Sequence, residues 1–126
     1  VADAPTPPHP PPYTHLTADF VGVPSAQLRD ATLIGGLLVA AAGAAGLSAL
    51  GAPVVRALPH DGVAGVHLLD GCRIAVQTFP REELLLLDVL APAAREGAAR
   101  EAQRTVDVFA RRLTARAVHA QQRTRG

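Results

Sequence analysis

From Ala31 to Val55 the chain carries no charged residue. A stretch that long must lie either inside the protein or in a bilayer, because about 20 apolar residues suffice to cross the hydrocarbon. Its small residues (Gly35, Gly36, Gly43, Gly46 and many Ala) carry little transfer free energy, and no clear Arg or aromatic anchor flanks it. The preferred reading is a largely buried helix over Leu28–Leu50, begun by Pro24, Ser25 and Gln27, in a two-layer domain. The alternative is a small membrane-associated protein with a span at 31–50. Each glycine weakens such a helix by about 1 kcal/mol relative to Ala. That cost is understandable where the helix lies close against a sheet.

Composition narrows the function classes. At 126 residues the chain is one domain, and 48% hydrophobic content is enough for a core. A net charge of +1 and only 3% aromatics argue against a nucleic-acid surface or an anionic membrane as partner. All twelve basic residues are Arg, so a lysine Schiff base, and with it internal pyridoxal-phosphate chemistry, is excluded. The single cysteine, Cys72, rules out an internal disulfide and a multi-cysteine zinc site. The five histidines have no partners at metal-ligand spacing, so no metal is expected. These features point to a cytoplasmic protein.

Residues 1–13 are proline-rich and are read as a disordered tail, with a ligand for a proline-binding groove as the functional alternative. They lack the charged start and apolar run of a secretory signal. The domain is expected over 14–126. Alternation over His15–Val21 predicts a strand that ends at Gly22. Ala52–Leu58 and Gly65–Leu69 read as further strands, and Asp70-Gly71 as the hairpin turn into Arg73–Phe79. Leu84–Leu90, a continuous apolar run, reads as a buried strand. Pro92 is expected to open a second helix reaching Leu113, and Thr114–Gln122 to form a final edge strand. The order implies an α+β two-layer sandwich, a mainly antiparallel sheet with two helices on one face.

Several of these segments together resemble a known family. His15-Leu16, Asp19 and Gly22 open the set, and Gly62-Val-Ala-Gly-Val66 follows. Ile74-Ala-Val-Gln-Thr-Phe-Pro80 is followed, after a seven-residue spacer, by Asp88-Val89. In order and spacing this is similar to the small bacterial S-adenosylmethionine decarboxylases of polyamine (spermidine) biosynthesis, over about Thr14 to Gly126. The resemblance implies a two-layer α+β protomer that pairs into a dimer. It also implies self-cleavage before a serine, leaving a pyruvoyl group that condenses with the substrate amine and draws electrons as carbon dioxide leaves. That chemistry needs no lysine.

The matched positions that would carry this chemistry hold other residues. Cys72 stands for the serine and Gly71 for the preceding glutamate, so the cleavage site would be Gly71-Cys72. Gln77 stands for the histidine that moves the proton, Ala64 for a serine, and Pro92 lies near the place of a cysteine proton donor. Among substrate contacts, Leu58 stands for an aromatic that stacks on adenine and Arg81 for a glutamate that binds the ribose hydroxyls. Glutamine cannot titrate near neutral pH, and Arg cannot accept a diol's hydrogen bonds. Glu82 or Glu83 offers a shifted carboxylate, with a solvated turn as the plainer reading.

A thiol can perform the same acyl shift, and Arg73 beside Cys72 is expected to favour the thiolate. His15 and His67 are expected to be hydrogen-bonded structural residues. Arg95, Arg100, Arg104, Arg111 and Arg112, with Glu96 and Glu101, read as a solvated helix face. The reading favoured is a divergent member that stays uncut, carries no cofactor, and is regulatory or takes an altered, amino-acid-derived ligand. It would act as a homodimer or with an active paralogue. The alternative is an active pyruvoyl decarboxylase of S-adenosylmethionine or another amino acid, started by Cys72.

Overall fold

The computed structural model describes residues 12–93 and 96–125. Most of the proline-rich segment, residues 1–11, lies outside them, as do residues 94 and 95. Six strands form one antiparallel sheet: β1 Tyr13–Val21, β2 Val54–Ala57, β3 Val63–Leu69, β4 Cys72–Phe79, β5 Leu84–Pro92 and β6 Ala117–Arg125. Their spatial order is β2-β3-β4-β5-β1-β6. Three α-helices, α1 Ser25–Leu28, α2 Ala31–Ala45 and α3 Ala98–Arg112, accompany the sheet. The α+β two-layer sandwich is as the order of elements implied.

Alternation along the strands builds the core. Leu16, Ala18 and Phe20 of β1, Ile74 and Val76 of β4, and Leu85, Leu87 and Val89 of β5 are all buried. They belong to one hydrophobic cluster with Ile34, Leu38 and Ala41 of α2 and Ala102, Val106 and Phe109 of α3. Phe20 and Phe109 meet across the layers with ring centroids 6.2 Å apart, tilted by 43°.

The helix expected over Leu28–Leu50 is shorter at both ends, with α2 running only from Ala31 to Ala45. Asp30, extended, caps α2 by accepting the Leu33 N–H at 2.9 Å, which separates it from the short α1. Gly46, left-handed at φ 72°, closes it, with the Leu47 N–H reaching the Ala42 carbonyl at 3.0 Å. Fifteen residues span about 22 Å, and no helix among the described residues is long and apolar enough to cross a membrane. The helix glycines do not explain the close packing either. Gly36 and Gly43 face open space, and a Cβ at Gly35 would make only ordinary contact, 3.6 Å from Val55 Cγ2; it is Gly65 on β3 whose missing Cβ makes room, since one there would lie 3.1 Å from Leu38 Cδ1.

Pro92 does not open the second helix. It ends β5, opposite Tyr13 of β1, and α3 begins six residues later after the left-handed Gly97. The final strand also starts later than expected, at Ala117, and lies at the sheet edge beyond β1. Leu84–Leu90 is buried on one face only. Leu86 is 37% exposed, and with Leu68 at 57% and Val54 at 49% it gives the helix-free face of the sheet an aliphatic character.

Candidate functional site

Thr78 organises one end of the sheet. It shares the inward face of β4 with Cys72, Ile74 and Val76 and is 1% exposed. Its hydroxyl donates to the Leu28 carbonyl at the end of α1 (2.7 Å) and accepts the Val63 N–H at the start of β3 (2.8 Å). One buried hydroxyl thus ties a helix end and a neighbouring strand to β4, satisfying two backbone groups that would otherwise be stranded. The preceding Gly62 passes so close that a Cβ would lie 2.5 Å from the Thr78 carbonyl oxygen, and its φ of 91° suits glycine alone.

The β2–β3 turn is held from the other side. Arg29, at the α1–α2 junction, grips Asp61 in a two-pronged pair, Nε to Oδ1 and Nη2 to Oδ2, each 2.9 Å. Asp61 Oδ1 also accepts the Gly62 N–H at 2.9 Å. Hydrogen bonding to Arg29 is the largest cause of the Asp61 carboxyl lying below its ordinary range, and the same bond raises Arg29. Beyond β4, a 3-10 turn over Pro80–Glu82 is pinned by Ser25 Oγ, which donates to the Pro80 carbonyl at 2.9 Å. Glu83 follows in a left-handed conformation, and its carbonyl accepts the N–H groups of Gly22 (2.9 Å) and Val23 (3.0 Å).

Between these two pinned turns lies a cleft of about 510 Å³ lined by Leu58, Pro59, His60, Asp61, Gln77, Thr78, Phe79, Pro80, Arg81 and Glu82. Four residues singled out from the sequence therefore meet: Leu58, Gln77, Arg81 and Glu82. Ala64 faces Gln77 across the β3–β4 ladder. Gln77 also borders a smaller hollow of about 320 Å³ on the helix-free face, beside Asp19 and Asp88. There His15 Nε2 and Asp88 Oδ1 are 2.9 Å apart, so His15 is hydrogen-bonded as expected.

Gly71 and Cys72 lie elsewhere, about 17 Å along β4 from Gln77 at the rise of an extended strand. Gly71 takes φ 73° in the hairpin turn, and a Cβ there would sit 3.4 Å from Pro92 Cγ. The positions matched to the cleavage site and to the cysteine proton donor thus share one end of the sheet. Cys72 is 7% exposed and points toward the helices, whereas Arg73 is exposed on the opposite face. The expectation that Arg73 promotes the thiolate is overturned by strand alternation, which puts neighbouring side chains on opposite sides. Within one chain, Gln77 and Cys72 also face opposite ways.

His67 is the second departure. It is 2% exposed, its Nδ1 has no hydrogen-bond partner, and burial pushes its pKa down. The reading of a hydrogen-bonded His67 is not met at that nitrogen. Among the described residues no group of three or more His, Cys, Asp or Glu side chains is placed to hold a metal ion. Sequence reasoning missed Thr78 and the Arg29–Asp61 pair. The inward parity of Thr78 with Ile74 and Val76 was a usable signal for the first; two residues 32 apart in sequence gave none for the second.

Comparison with known proteins places this geometry. The family model for S-adenosylmethionine decarboxylase matches residues 14–126. The chain is similar to the adenosylmethionine decarboxylase of Aquifex aeolicus VF5 in its crystal structure, with a TM-score of 0.79 and 25% identity over 92% of each chain. A search of curated proteins gives no match. The chain belongs to the S-adenosylmethionine decarboxylase family.

Proposed function

We propose that this protein is a divergent, uncut member of the decarboxylase family that pairs with itself and binds a small amino-acid-derived ligand in the Leu58–Glu82 cleft. The observation that carries the reading is Gln77. It borders the cleft at the position matched to the family's proton-transferring histidine, and an amide has no nitrogen that titrates near neutral pH. A pyruvoyl group does not fit the residues present. The matched nucleophile, Cys72, is buried toward the helices, and the position matched to the proton-moving histidine holds Gln77, which faces the other way on the same strand and cannot take its proton. No step is therefore routed through that group.

Self-pairing is supported by the helix-free face of the sheet. Its Val54, Leu68 and Leu86 are exposed aliphatics on an otherwise one-sided sandwich, the kind of surface that a second sheet would cover. A heteromer with an active paralogue would use the same face.

A carbonyl reagent tests the absence of chemistry. Phenylhydrazine added to the purified untagged protein is expected to leave its mass unchanged. A hydrazone on a fragment starting at position 72 would instead establish the pyruvoyl enzyme and refute the proposal.

A further inference from the structure

Two opposite charges on the cleft rim are left over once the local pairs are accounted for. Asp61 is already paired: Arg29 takes both carboxylate oxygens and the Gly62 N–H shares one of them. The Arg81 charge lies near enough to help Arg29 hold the Asp61 carboxyl low, yet no hydrogen bond joins the two. Among the described residues neither Arg81 nor Glu82 enters an ion pair. With Arg29 and Asp61 cancelling, the rim offers one guanidinium fork and one carboxylate, both bordering the same cleft. Its lining also offers hydrocarbon from Leu58, Pro59, Phe79 and Pro80, beside the polar His60 and Gln77.

A fork of donors takes a carboxylate, and a carboxylate takes an ammonium. A ligand that answers both has the two groups on a short skeleton, with an apolar side chain for the hydrocarbon part of the lining. We infer that the cleft selects a free α-amino acid, its carboxylate on Arg81 and its ammonium on Glu82, with the side chain lying between Leu58 and Phe79. The inference rests on the proposed reading of an uncut, ligand-binding chain. It adds to that reading the ligand class and the two residues that set it. Arg81 and Glu82 act by contact with the ligand's charged ends, so neither needs a proton transfer for the site to work.

The test is calorimetric titration of the full untagged chain with the proteinogenic L-amino acids, each compared with its methyl ester and its N-acetyl derivative. At least one amino acid with an apolar side chain is expected to bind saturably. Esterification, acetylation, Arg81→Gln and Glu82→Gln are each expected to weaken it about tenfold or more, as the loss of one charge-assisted contact does. Failure of every amino acid to bind overturns the inference, as does a loss smaller than tenfold on either esterification or Arg81→Gln. The ester comparison uses the unaltered chain, so it stands even if a variant folds poorly. An intact-mass spectrum of the same sample separates this outcome from the other, because a cut chain refutes the uncut reading whatever the binding result.

Discussion

His67 shows what one buried side chain can impose. It sits on the inward face of β3, the strand against which α2 packs, and α2 contains no titratable residue at all. Ile74, its partner across the β3–β4 ladder, and Val76 on the same face of β4 are aliphatic and offer no counter-charge to an imidazolium. Its pKa is lowered in the fold by burial, so the unfolded chain binds the proton first as the solution is acidified. Stability is therefore full above the unfolded value of about 6.5 and falls as the pH drops below it, down to the depressed folded value. Thermal melts should lose midpoint temperature as the pH is lowered from about 7 through about 6.5, and His67→Leu should flatten that loss. An equal pH slope in the variant would contradict this account.

At the scale of elements, Thr78 joins α1, β3 and β4 through two hydrogen bonds. Thr78→Val keeps the shape and strands a buried carbonyl and a buried N–H, which should cost about 2 kcal/mol in urea denaturation. Thr78→Ser should recover most of it, and a Val variant as stable as the parent would show that the bridge is idle. The central strands were legible in the sequence because they have one buried face, so Cys72-Ile74-Val76-Thr78 and Leu16-Ala18-Phe20 alternate with less buried neighbours. The helix limits were less so. Asp30 is a capping residue in plain sight, yet the long apolar run that follows it draws the expected helix across the break between α1 and α2. Pro92 reads as a helix opener by local preference, but pairing with β1 carries β5 through it. Four consecutive leucines over 84–87 carry no alternation, so nothing local showed that Leu86 faces outward. The cleft was half legible. Leu58, Gln77, Arg81 and Glu82 came from the family resemblance, whereas the Arg29–Asp61 pair depends on a turn geometry that no local pattern encodes.

For the whole molecule, the sandwich has one face covered by helices and one that is not. If the proposed self-pairing uses that face, Leu86→Arg places a cation at its centre, beside Gln77 in the β4–β5 ladder. Sedimentation should then show twice the chain mass for the parent and a monomer for the variant, because an unpaired buried charge is costly. A parent that sediments as a monomer would remove the pairing. The central claim, that the family fold persists here without the family's self-cleavage, is tested most directly by the intact mass of freshly purified, untagged protein. The account predicts one species at the full 13.0 kDa. Two fragments, residues 1–71 and 72–126, divided between Gly71 and Cys72, would contradict it.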